Sequence, residues 1–250
     1  MSKVSDLLRE RNLRLDGRTL TTHRPISLQM DTHQTASGSS IVVTGTTRVV
    51  ANIYGPYDCG LNEPGLEVTY SSAPFATGMR RRPQADERRN REVADLIEHT
   101  FTQALLLETF PHSLIKLELQ VLCDSGAALP TAINAATTAL IDAGIPMKDM
   151  VTACEVGLIE VTRPDGSIAT HIAADTSAEE ERRGVHFPIA VMPSTGEVVA
   201  VMLVHTLPRS DLLDELLEVG LDTCKWTHGQ LVGQVKALVG EKMHVCGMVE

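Results

Sequence analysis

Apolar and polar positions alternate along Arg24-Pro25-Ile26-Ser27-Leu28-Gln29-Met30, the two-residue period of a strand with one buried face. Ser40 to Thr44 is rich in β-branched residues, and Gly45 separates it from a second run, Thr46 to Tyr54, which Gly55-Pro56 ends. A loop from Asp58 to Gly65 precedes a third extended stretch, Leu66 to Tyr70. The period then changes. Val93, Leu96, Ile97, Phe101, Ala104 and Leu107 recur at helical spacing, which predicts a helix from about Asp86 to Glu108, with Pro111 just past it. Leu114 to Leu122 alternates cleanly again. Asp124-Ser125-Gly126 then leads into a second helix, with Pro130 in its first turn and an apolar line of Ile133, Ala136, Leu140 and Ile141. Gly144 and Pro146 stop it.

The second half repeats the theme. Ala153 to Thr162 and Ser167 to Ala173 read as strands around Arg163-Pro164-Asp165-Gly166. Phe187 to Met192 and Val198 to His205 make a hairpin across Pro193-Ser194-Thr195-Gly196. Ser210 can cap a long last helix that carries Leu212, Leu213, Leu216, Leu217 and Val219 and runs towards Leu238. Gly220, Gly229 and Gly233 leave its continuity open. The order of strands, helices, strands and helix predicts an α+β protein with helices packed on mixed sheets.

Composition adds bounds. The 250 residues are 43% apolar, enough for a substantial core, and the mean hydropathy is near zero. No apolar run has the length of a signal peptide or a membrane span, so no membrane association is expected. The five cysteines are widely spaced and odd in number, without a Cys-x-x-Cys pair, which predicts reduced thiols in an intracellular protein and no zinc site. A formal charge of −10 argues against coating nucleic acid by bulk attraction. The charge is uneven, however: Arg80, Arg81, Arg82, Arg88, Arg89 and Arg91 crowd one short segment, so any contact with RNA should be local. Aromatics make up only 3%, which leaves few platforms for stacking bases.

Three clusters could carry chemistry: the arginine segment, the turn Asp124-Ser125-Gly126-Ala127-Ala128-Leu129, and the acidic run from Asp175 to Glu181. Charge alone leaves each open. Arg88 and Arg89 fit phosphate oxygens through their forked guanidinium groups, yet Asp86 and Glu87 beside them also fit a solvated helix start. Arg80, Arg81 and Arg82 suit an RNA contact, a seam with a neighbouring subunit, or an exposed loop. The nine histidines show no metal-ligand spacing; His171, His186 and His205 read as partly buried structural residues. Trp226 reads as core or interface.

Leu15-Asp16-Gly17-Arg18, Tyr54-Gly55-Pro56, Ser71 to Gly78, Asn134-Ala135-Ala136-Thr137 and Asp142 to Met147 form an ordered series over residues 10 to 240. The series resembles the RNase PH-like ring subunits of the eukaryotic-type exosome. The resemblance implies the RNase PH fold, with two βαβα-like halves at about 1–150 and 151–250 within one domain, and a cleft between them. It implies a six-membered ring with other RNase PH-like subunits, cap subunits, a separate nuclease, and single-stranded RNA as ligand. Ribosomal RNA processing and RNA turnover in the nucleus, nucleolus and cytoplasm are implied with them. Active relatives use phosphate to release nucleoside diphosphates from the RNA 3′ end.

By the resemblance, Arg88 and Arg89 grip RNA phosphates. Asp175 and Glu181, six residues apart, stand for the two catalytic carboxylates, with Asp175 the candidate for a divalent ion such as magnesium. Ser125, Gly126, Ala127 and Ala128 stand in the phosphate-binding turn, where active members place an arginine. Here Ala128 or Leu129 takes that place, with one extra residue before Asn134. The expectation is a degenerate site in a non-catalytic ring subunit without a cofactor. The alternative is an active phosphorolytic 3′-to-5′ exoribonuclease working with a partner subunit.

Overall fold

The computed structural model describes residues 13–14, 16–58, 65–78, 83–162, 168–207, 209 and 211–245. Arg80, Arg81 and Arg82, the turn around Pro164 and the proposed cap Ser210 lie outside the described residues.

β1 (Ile26–Met30), β2 (Gly38–Thr44), β3 (Thr47–Asp58), β4 (Gly65–Ser72) and β5 (Ser113–Cys123) form one sheet in the order β1-β2-β3-β5-β4. Only β4 and β5 pair in parallel. A parallel pair needs a crossover, and helix α1 (Pro83–Ala104) supplies it. The second sheet contains β6 (Thr152–Thr162), β7 (Ile168–Ala174), β8 (Val185–Met192) and β9 (Glu197–Val201) in the order β7-β6-β8-β9, all antiparallel. Helix α2 (Ala128–Ala143) packs on both sheets. A short helix, α3 (Ala178–Glu181), follows β7, and α4 (Leu212–Val245) closes the chain against β6.

α2 is the keystone. Its apolar line predicts a one-sided helix, but every residue from Pro130 to Leu140 is buried, because sheets cover it on more than one side. Its polar residues therefore bond inward. Asn134 donates from Nδ2 to the Ala153 carbonyl at 2.9 Å and accepts the Ala153 N–H at 2.8 Å, while Thr137 donates to the Val151 carbonyl at 2.7 Å. These bonds tie α2 to the start of the second sheet.

Several boundaries differ from the sequence reading: β3 runs through Gly55-Pro56 to Asp58, where it still pairs with β5, β9 stops at Val201 short of His205, and two helices differ as well. α1 ends at Ala104 because its last carbonyl accepts from Lys148 N–H at 2.8 Å and Leu105 bridges to Met147. α4 is unbroken across its glycines. Gly220 lies on Ile189, where an added Cβ would sit 3.1 Å from Ile189 Cγ2, so this glycine serves close packing and does not end the helix.

Candidate functional site

The C-terminal end of β5 runs into the turn Asp124–Ala127, and α2 starts immediately after it. A helix start exposes amides that suit an anion. Here three successive amides already have partners inside the protein. Ser125 N–H donates to Thr47 Oγ1 at 3.1 Å, Gly126 N–H donates to Asp124 Oδ1 at 3.2 Å, and Ala127 N–H donates to the Glu181 carboxylate. Ala127 takes a left-handed φ of 54°, and Gly126 has φ 101° with no room for a side chain: an added Cβ would lie 2.6 Å from Ala178 N.

The acidic run faces this turn. Ala178 N–H donates to the Ser125 carbonyl at 3.0 Å, and Ser177 and Glu180 form a capping box that starts α3. The structure separates the two carboxylates that their six-residue spacing joined. Glu181 turns to α2, whereas Asp175 turns inward to Arg24, whose Nε lies 3.0 and 2.9 Å from its two oxygens and whose Nη2 lies 2.5 Å from Oδ1. Arg18 adds a contact at 3.2 Å. Burial would raise Asp175, but the hydrogen bonds and charge of Arg24 outweigh it and hold the carboxyl below its ordinary value. With both oxygens held by guanidinium groups, Asp175 does not fit the divalent-ion role. Among the described residues no group of three or more His, Cys, Asp or Glu could hold a metal ion.

Arg24 also reaches the carbonyls of Ser125, Gly126 and Thr176, at 3.2, 3.3 and 3.1 Å, and so joins the two turns. Arg14 and Arg18 clasp the same segment, Arg18 reaching the Asp175 carbonyl at 3.1 Å. Arg14, 1% exposed, pairs with Glu180 and donates to the carbonyls of Ala174 and Asp175 at 2.7 and 2.8 Å.

A cleft of about 570 Å³ opens beside these turns, with Arg89, Asp124, Leu129, Glu181, His186 and His205 among its walls. The paired arginines divide. Arg89 faces the cleft; Arg88 points to solvent, its side chain 90% exposed, and pairs with Glu92 at 3.0 Å one helical turn on. His186 and His205, read from sequence as structural, meet edge to face at 5.8 Å on the cleft wall. Burial, then His205 and Arg89, push His186 below its ordinary value.

Glu155 was missed by the sequence reading. It is 4% exposed on β6 and accepts from Thr176 Oγ1 at 2.9 Å. Burial, then the charge of Glu181, push its carboxyl well up. The signal was a lone carboxylate within the apolar run Ala153 to Leu158. Nothing in the pattern around Arg24 marks it as the residue that joins the turns. Trp226 packs on His23 at 4.3 Å in a stacked pair, 38% exposed, and Cys154 and Cys224 meet in the core with Sγ atoms 3.2 Å apart.

Two sheets joined through a buried helix, with a cleft at the helix start, define the class. A model of the 3′ exoribonuclease family, domain 1 (RNase PH), matches residues 22–146, from just before β1 to just past α2. The chain belongs to that family, and its fold is the RNase PH fold. Exosome complex component RRP41 of Homo sapiens is 31% identical over 249 residues, 97% of this chain and 98% of that protein. Exosome complex component Rrp41 of Thermoplasma volcanium is 35% identical over 210 residues, 81% of this chain and 80% of that protein. Among solved structures, rice (Oryza sativa) Rrp46 superimposes with a TM-score of 0.72 at 26% identity, over 89% of this chain and 100% of that chain. A chain of the Archaeoglobus fulgidus exosome with RNA bound to the active site shares the fold, with a TM-score of 0.74 at 22% identity over 91% of this chain and 95% of that one.

Proposed function

We propose that the chain is a non-catalytic core ring subunit of an exosome. It binds single-stranded RNA and channels it for 3′-to-5′ processing and degradation, ribosomal RNA included, by a separate nuclease. The observation that carries this reading is the filled anion position: the amides of Ser125, Gly126 and Ala127 all bond within the chain, Ala127 to Glu181 itself. No basic residue stands between Asp124 and Leu129. A phosphate placed there would meet the Glu181 carboxylate, and two unit charges ~4 Å apart repel by ~4 kcal/mol at an effective dielectric of ~20. Arg89, on the cleft wall, supports an RNA contact through its phosphate-matching fork.

The partners are other RNase PH-like subunits in a six-membered ring, with cap subunits above it. The edge strand β9 supports an interface, since Val198 and Val201 on it and Leu203 just beyond are each about two-fifths exposed. The names of the relatives support the exosome assignment and, with it, nuclear, nucleolar and cytoplasmic pools. The test is incubation of the chain with its ring partners, 3′-labelled RNA, magnesium and phosphate. No nucleoside diphosphates should form. Diphosphates that vanish on Glu181→Ala would favour the other reading, a phosphorolytic enzyme whose missing cation comes from a neighbouring subunit. Arg89 and Glu181 on one cleft wall are what that reading rests on.

A further inference from the structure

Among the described residues no carboxylate pairs with Arg89, His186 or His205, although Arg88 beside them pairs with Glu92, and Arg182 and Arg183 share Glu179. All three unpaired groups line the cleft. They come from different elements: α1, β8 and the segment after β9. Packing brings them together, since α1 touches β9 and the charges of His205 and Arg89 both reach His186.

The backbone holds the histidines in place. β9 ends at Val201, but Val204 N–H still donates to the His186 carbonyl at 3.1 Å. His205 follows with a left-handed φ of 76°, which few non-glycine residues adopt, and its ring meets His186 edge to face at 5.8 Å. The acids that share the cleft are engaged elsewhere. Asp124 accepts the Gly126 N–H at 3.2 Å, Glu155 accepts from Thr176 at 2.9 Å, and Glu181 accepts the Ala127 N–H. Groups that carry or gain positive charge therefore stand together without a counter-ion. Gathering like charges is unfavourable, and an anion entering the cleft removes that penalty.

We propose that Arg89, His186 and His205 form a phosphate clamp, in which the guanidinium and the two imidazoles hold the phosphodiester backbone of single-stranded RNA. This rests on the RNA-binding role proposed above and names the groups that make it depend on pH. The clamp is built from residues other than the filled turn from Asp124 to Ala127. In the free protein His186 is held below its ordinary value by burial and then by His205 and Arg89, whereas a phosphate beside it favours the imidazolium. RNA binding therefore takes up a proton and tightens as pH falls through the ordinary histidine range. Acid also neutralises Glu155 and Glu181, both held above their ordinary values, so the salt slope as well as the affinity must be read.

The test uses the full chain assembled with its ring partners and a labelled oligouridine, at about pH 5.5 and about pH 8. The parent should bind about tenfold more tightly at the lower pH, with a salt slope steeper by up to ~0.7 for each imidazolium that meets a phosphate. His186→Gln/His205→Asn should lose the steeper slope and most of the tightening; asparagine readily takes the left-handed backbone at 205. If the double change prevents assembly, His205→Asn alone, at an exposed position, should reduce both differences. A variant that keeps both differences, while Arg89→Ala still weakens binding, would overturn the clamp and leave the RNA role standing. Histidine ring signals in NMR that respond to inorganic phosphate but not to oligouridine would assign the site to free phosphate and overturn it too. A parent ring that binds no oligouridine would overturn both.

Discussion

Arg24 faces the acidic segment with its guanidinium and backbone together: its own N–H donates to Asp175 Oδ2 at 2.7 Å, and its side chain bonds four oxygen-bearing residues across two turns. Such a pair adds little net stability when whole but costs much when broken, because the remaining charge is buried alone. Arg24→Ala should lower stability by about 3–5 kcal/mol, read from the urea midpoint at neutral pH. Acid should act on the same contact. Asp175 and Glu180 are held below their ordinary values, burial opposing and their arginines prevailing, so the stability they contribute is lost as pH falls through those lowered values. Glu155 has the opposite sign. Its raised folded value contributes stability that is fully present below the ordinary 4.5 and is lost as pH rises through the folded value. Glu155→Gln keeps an acceptor for Thr176 and cannot ionise. Its stability should therefore decline less than the parent's as pH rises above the ordinary carboxylate range; parallel declines in thermal scans would remove Glu155 as the cause.

At the scale of elements, α2 and β2 approach so closely that a side chain at Gly38 has no place: an added Cβ would lie 2.4 Å from Ala143 N and 2.6 Å from the Ala139 carbonyl. Backbone cannot move aside as a flexible side chain can. Gly38→Ala should destabilise by about 1–3 kcal/mol, the usual cost of overpacking, seen as a lower urea midpoint with an unchanged slope. Most elements were legible because periodicity follows burial on one face. Leu114 to Leu122 alternates, and β5 alternates in burial between its neighbours β3 and β4. α2 misled for the same reason, since a helix covered by two sheets has no polar face to reveal its orientation. α3 was not legible: four residues are too few to set a period, and a local capping box holds them.

For the whole molecule, a net charge of −10 leaves RNA binding to a few local cations. If Arg88 and Arg89 grip phosphates within the ring, Arg88→Ala/Arg89→Ala should make the salt dependence of single-strand binding shallower, by ~0.7 in slope for each lost contact. Arg89 faces the cleft and Arg88 faces solvent, so Arg89→Ala alone should produce most of the change. An unchanged slope in a ring that still assembles would reduce the pair to a solvated helix surface.

The sequence by itself determined the strands, the two long helices of the first half, the α+β class and, through an ordered series of short motifs, the family. It also determined that the turn from Asp124 to Leu129 carries no cation, because a missing arginine is visible without coordinates. Only the tertiary structure decided where the acids point. Asp175 and Glu181 lie six residues apart in the chain, yet the left-handed backbone at Asp175, φ 55°, and the short helix after it send them to different partners. Arg24 holds one, and the start of α2 takes the other. These bonds span about 50 to 150 residues of chain. No local pattern encodes such distances, because it is packing that selects which buried charge meets which donor.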